Sequence, residues 1–110
     1  MIDCLEKLYT SQISKVTEER VRAALRDKTE LPDVYLITFS TNGVDQLDLL
    51  SAKSFEKERQ RNLATTVVGL CKSEDEGVEL IARIAGEAMR EAGHCRLQEY
   101  LLSGQRGREA

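Results

Sequence analysis

The chain is 110 residues long, 41% apolar and 32% charged, with a formal charge of -3 and a single proline. That length holds one domain whose core folds without metal or disulfide, and the composition excludes a disordered or low-complexity chain. The acidic balance argues against a general polyanion binder but leaves room for a local basic patch.

The opening MIDCLEKLYTSQ carries Asp3 and Glu6 where a secretion signal has basic and then apolar residues. No apolar run approaches the roughly 20 residues of a membrane span. Cys4, Cys71 and Cys95 are odd in number, far apart and without a CxxC pair, so the chain reads as a reduced, cytoplasmic protein. Over residues 1–28, Ile2, Leu5, Tyr9, Ile13 and Val16 recur at three- and four-residue steps, the stripe of a helix. The stripe then moves about 100° around the helical wheel to Val21, Ala24 and Leu25. A break near residues 16–17 explains the shift, with Thr17 as N-cap, Glu18 and Glu19 in the first turn, and Val16 and Val21 as a hydrophobic staple. One long helix touching two surfaces is the alternative.

Pro32 closes the helical region, and VYLITFS (34–40) is rich in the β-branched and aromatic residues of a strand. Asn42-Gly43 is a strong hairpin signal, with QLDLLSA (46–52) as the returning strand. Pairing Ile37 with Leu49, Phe39 with Leu47 and Thr38 with Asp48 keeps each face coherent, which requires a loop through Val44 with Gly43 at positive φ. Leu36 and Leu50 then lie on the opposite face, so both faces carry aliphatics. A face left uncovered would be an interaction surface.

Residues 53–62, KSFEKERQRN, show no apolar periodicity beyond Phe55 and read as an exposed loop or one helical turn. LATTVVGLC (63–71) is the third strand, apolar or neutral on both faces and therefore central. A long helix follows from Ser73 to Ala92 and ends at Gly93. Its wide apolar stripe comprises Val78, Ile81, Ile84, Ala85, Ala88, Met89 and Ala92. Gly77 and Gly86 inside it each cost about 1 kcal/mol relative to alanine. Close approach of another backbone accounts for such glycines, the sheet first and a second copy's helix next. A last short helix, RLQEYLLS (96–103), stops at Gly104 and leaves 105–110 as a mobile polar tail.

In VVGLCKSEDEG (67–77) a strand runs into Lys-Ser at a helix start, as strands do in phosphate-binding loops. Such a loop needs GxxxxGKS, because glycine-permitted N–H groups must curl around the phosphate. Here only Cys71 separates the strand from Lys72, and Glu74, Asp75, Glu76 and Glu79 would repel an anion. Ser73 and Glu76 instead form a capping box, with the acids at the positive end of the helix dipole.

Cys71, beside that helix N-terminus, is the candidate nucleophile, since the setting lowers a thiol pKa. The only histidine, His94, adjoins Cys95 in sequence, and Cys71, His94 and Cys95 lack the paired spacing of a metal site. Asp45 and Asp48 read as solvated carboxylates. With no glycine-rich dinucleotide fingerprint, GxSxG or HExxH, no catalytic, cofactor-binding or metal residue is assigned and no cofactor is expected. Lys53, Lys57, Arg59 and Arg61 make the one basic-leaning segment, four cations against the two acids Glu56 and Glu58.

The predicted order α-β-β-β-α, from the second helix to residue 92, resembles the double-stranded RNA-binding domain. That likeness implies phosphate contacts from a basic cluster at the start of the last helix, where this chain reads SEDEG. Ser73, Asp75, Glu76, Gly77 and Val78 are similar over that short stretch to the capped, acid-started helix of HicB-type antitoxins, a β-β-β-α family.

The sequence thus predicts one α+β domain over 1–104. N-terminal helices precede a three-stranded antiparallel sheet, a long helix packs on one sheet face, and a short last helix follows. The expected function is a cytoplasmic, non-catalytic protein–protein interaction module, partnered by itself as a homodimer or by another protein, with no membrane association. Leu36 and Leu50 are its candidate interaction face. A nucleic-acid-binding regulator using residues 53–61 is the alternative, and a thiol enzyme at Cys71 the third.

Overall fold

The computed structural model describes residues 2–41, 46–61 and 65–109. In chain order these form β1 (Ile2–Ser11), α1 (Lys15–Asp27), β2 (Tyr35–Phe39), β3 (Leu47–Ser51), α2 (Ala52–Arg59), β4 (Thr65–Cys71), α3 (Glu74–Ala92) and α4 (Leu97–Glu109). The fold is α+β, but its sheet has four strands in the order β1-β4-β2-β3 and is mixed. Strand β1 runs parallel to β4, while β2 is antiparallel to both β4 and β3. The α-β-β-β-α succession is therefore broken at two places, by a strand at the front and by α2 between β3 and β4.

The largest correction concerns residues 2–11, expected as helix and found as an edge strand. The helical spacing has a structural origin. Ile2 and Cys4 pack toward one face of the sheet and Leu5 and Tyr9 toward the other. Between the pairs Cys4–Val67 and Tyr9–Gly69 the register shifts, so four residues of β1 stand opposite the single residue Val68. A strand covered on both faces and interrupted this way repeats its apolar residues at three and four. Arg22 of α1 holds the irregular segment, donating to Leu5 O at 3.1 Å and Glu6 O at 2.8 Å, and pairs with Glu18 at 3.3 Å.

Helix α1 begins where the stripe was expected to break, but its cap is Ser14, whose Oγ accepts the Thr17 N–H at 3.1 Å. Val16 is solvent-exposed and staples nothing, whereas Val21 and Ala24 are buried as the second stripe requires. Segment 53–62 is also corrected, because residues 52–59 form α2. Ser51 caps it by accepting the Ser54 N–H at 3.2 Å. Two turns rich in Lys, Glu and Arg favour a helix by propensity, and one large anchor, Phe55, is fully buried. A single anchor produces no periodicity.

The hairpin register agrees with expectation, pairing Ile37 with Leu49, Phe39 with Leu47 and Thr38 with Asp48. The expected loop at Asn42, Gly43, Val44 and Asp45 lies outside the described residues. Strand β4 is central, between β1 and β2. Helix α3 starts and stops as predicted, at the Ser73 cap and at Gly93 with φ 73°. Helix α4 continues through Gly104, where an end was expected.

Two apolar clusters sandwich the sheet. Val21 and Ala24 of α1 and Phe55 of α2 close over Leu36, Val67 and Leu70. Leu80, Ile84 and Ala88 of α3 and Leu97, Tyr100 and Leu101 of α4 close over Ile37 and Val68. The chain's own helices thus cover both faces. Leu36 is fully buried and Leu50 half-buried beside it, so the surface expected from these two is occupied within the monomer.

Candidate functional site

At the start of α3, Ser73 Oγ accepts the Glu76 N–H at 3.3 Å. The Glu76 carboxylate reaches back to the Lys72 N–H at 3.2 Å. This is the reciprocal pattern of a capping box, with the return bond one residue early. It occupies the Glu76 and Lys72 N–H groups with side-chain oxygens, and the Glu76 carboxylate holds negative charge at the turn where a phosphate would bind.

Cys71 lies fully buried under that turn. Burial, and secondarily the Glu76 carboxylate, push its thiol up to about 11. Burial first and the carboxylate second thus oppose the lowering expected beside a helix N-terminus, and the thiolate that nucleophilic attack needs is disfavoured. His94 follows the far end of α3, and 19 residues of helix, about 28 Å at 1.5 Å each, separate it from the Cys71 end. Its Nδ1 accepts the Arg96 N–H at 3.1 Å. Cys95 is exposed and Cys4 half-buried, its thiol raised by burial against the partial offset of Arg22. All three cysteines are unpaired. Among the described residues no group of three or more His, Cys, Asp and Glu side chains is placed to hold a metal.

The basic segment is divided by the fold. Arg59 turns onto α1, donating to Ala24 O at 3.3 Å and Thr29 O at 2.8 Å and pairing with Glu56. Its side chain keeps only 14% of its exposure. Arg59 therefore satisfies carbonyls at the C-terminal end of α1, a role its side chain performs as a planar fork. Lys53, Lys57 and Arg61 remain exposed, four residues apart in turn.

Two features escaped the sequence reading. Tyr9 and Tyr100 both donate to Glu87 Oε1 at 2.8 Å, and Tyr100 also lies 3.0 Å from Glu91 Oε2. Burial and these two carboxylates raise the Tyr100 hydroxyl well above its usual range. Tyr9 of β1 is 78 positions from Glu87 of α3, and Tyr100 of α4 is 13 and 9 positions from Glu87 and Glu91, so no local motif announces their meeting. The second feature is a cleft of about 310 Å³ lined by Thr38, Phe39, Thr41, Asp48, Leu49, Leu50 and Glu58. Among the described residues its charged groups are the two carboxylates Asp48 and Glu58, with no histidine or cation in the lining to pair with either in acid–base chemistry.

Helix α3 itself departs from expectation. Of its predicted apolar stripe, Ile84 and Ala88 are buried, together with Gly77 and Leu80, but Val78 and Met89 are 59% and 52% exposed. Val78, Ala82, Ala85, Met89 and Ala92 recur at four, three, four and three, and fall within about 40° of one line on the wheel. The buried set lies about 120° away from that line. Ala85 is half-buried against the inner cluster, and the part of this line that the described residues leave exposed is Val78, Ala82, Met89 and Ala92. A Cβ on Gly77 would come within 2.6 Å of Leu49 Cδ1 and 3.1 Å of Cys71 Sγ, so the sheet's approach explains that glycine. On Gly86 a Cβ would meet, among the described residues, only Arg90 Nη1 at 3.6 Å, an ordinary contact that does not call for a glycine.

None of the described helices is long and apolar enough to cross a membrane. Comparison with known proteins finds no matching family model, no similar curated protein and no similar solved structure.

Proposed function

We propose that this chain is a non-catalytic, cytosolic protein–protein interaction domain that engages its partner through the outer face of α3. The observation that carries this reading is the exposure of Val78 and Met89, on one line of the helix with Ala82, Ala85 and Ala92, after both sheet faces have been covered internally. Exposed apolar side chains aligned over three turns favour association, because removing them from water is favourable at about 25 cal/mol per Å². Three unpaired cysteines accord with a reducing compartment. The test is a photo-crosslinking residue at position 82 of the full chain in its native cells. Discrete crosslinked species are expected there and not from position 53. Equal labelling at both positions, or none at 82, would sink the reading.

A nucleic-acid-binding regulator is the second reading, supported by the exposed row Lys53, Lys57 and Arg61. Arg59 is withdrawn from it by its contacts to α1. If that reading holds, the triple change Lys53→Ala, Lys57→Ala and Arg61→Ala removes salt-sensitive binding to a duplex RNA or DNA probe. Unchanged binding by the triple variant ends it.

A further inference from the structure

Resting on the interaction reading above, we infer that the partner of the outer α3 face is a second copy of the chain, packed antiparallel on the same face. The charges beside the apolar line are sorted along the helix. Asp75 and Glu79 stand in its N-terminal half, Arg83 at its midpoint and Arg90 in its C-terminal half, all exposed and all on one flank, about 60–140° from Val78 on the wheel. None of the four is in an ion pair among the described residues.

In an antiparallel helix pair related by a two-fold axis, like flanks meet with their directions reversed. A dyad between positions 83 and 84 sets Val78 beside Met89 of the other copy and Ala82 beside Ala85, so the large side chains lie at the ends and the small ones at the crossing. Glu79 and Asp75 then come within about 3 Å, along the helix axis, of the other copy's Arg90, while Arg83, the charge turned furthest from the apolar line, falls level with its own counterpart. A parallel two-fold pair would turn the charged flanks to opposite sides, where they do not meet. The pattern is self-complementary only in the antiparallel sense, as an isologous contact requires. Gly86 sits beside the crossing, where the absence of a Cβ lets backbones approach. Among the described residues nothing in the monomer packs closely on it, and the crossing accounts for the glycine.

The test is sedimentation of the purified full chain from micromolar to millimolar concentration. The expected result is a concentration-dependent rise from monomer to dimer mass. Val78→Lys with Met89→Lys weakens that dimer by at least about tenfold while the far-ultraviolet circular dichroism is retained. Glu79→Arg and Arg90→Glu each weaken self-association as well. An equimolar mixture of these two variants restores it, because each copy then presents the sign the other lacks. A monomer at every concentration, a dimer indifferent to the substitutions at 78 and 89, or a mixture no tighter than its components overturns the inference. A chain that sediments as a monomer yet crosslinks from position 82 to a different protein refutes the self-pairing alone and leaves the interaction reading in place.

Discussion

Lys57 and Arg59 carry the same charge two residues apart, but α2 turns one to solvent and the other onto α1. Arg59→Ala strips donors from two carbonyls at the end of α1, and the expected loss is about 1–2 kcal/mol in the unfolding free energy read from urea denaturation. Arg59→Lys does not recover it, since an ammonium cannot reproduce the fork. Lys57→Ala changes stability by no more than about 0.5 kcal/mol. The glycines of α3 divide in the same way. At Gly86 of the monomer the added methyl meets only the tip of the Arg90 side chain, at an ordinary contact distance, so Gly86→Ala gains up to about 1 kcal/mol of helix propensity. At Gly77 the same methyl collides with Leu49, and overpacking of about 1–3 kcal/mol exceeds that gain. Opposite signs in equilibrium unfolding are the outcome to look for; equal signs would show that Leu49 yields freely. Both glycines are legible in the sequence as costly, but which of them touches a neighbour depends on where the sheet lies.

Elements with their own local signals were read correctly, and those held by distant contacts were not. Ser73, Glu76 and Gly93 delimit α3 within the sequence itself, and the alternation of Ile37, Phe39, Leu47 and Leu49 sets the hairpin register. Strand β1, by contrast, exists because β4, some sixty residues later, accepts it as a parallel neighbour. Helix α2 exists because Phe55 finds a buried socket. Helix α4 is held in a similar way. Gln98 donates to Gln46 O at 2.9 Å, and Tyr100 reaches Glu87 and Glu91 across to α3. In Tyr100→Phe the ring still fills its site but both carboxylate bonds are lost, while Tyr9 still donates to Glu87. The α4 amides are then expected to exchange faster, by a local opening cost lowered about 1–2 kcal/mol, with those of β4 unaffected. Equal loss of protection in β4 would mean that α4 does not open separately.

For the whole molecule, the buried thiol links stability to pH. Cys71 is raised from 9.0 to about 11, so the folded chain holds this proton more tightly than the unfolded one. Its contribution is full below pH 9 and is lost as pH rises through 11. Tyr100, also raised, acts in the same direction above pH 10. The urea midpoint is expected to fall between pH 9 and 11, and Cys71→Ala to flatten the first part of that fall. A midpoint that holds steady across this range would contradict the burial of the thiol. Iodoacetamide near neutral pH should modify exposed Cys95 readily and Cys71 only on unfolding.

By itself the sequence determined the α+β class, the hairpin register, the capped limits of α3 and the central place of β4. Each of these rests on residues close in the chain or on the two-residue period of a strand. Only the tertiary structure decided that β1 is a strand, that Leu36 is covered, that Arg59 is occupied and that Cys71 is a buried thiol. The outer face of α3 belongs with these. Periodicity shows that a helix is apolar on more than one side, but which side meets the core depends on contacts between segments far apart in the chain.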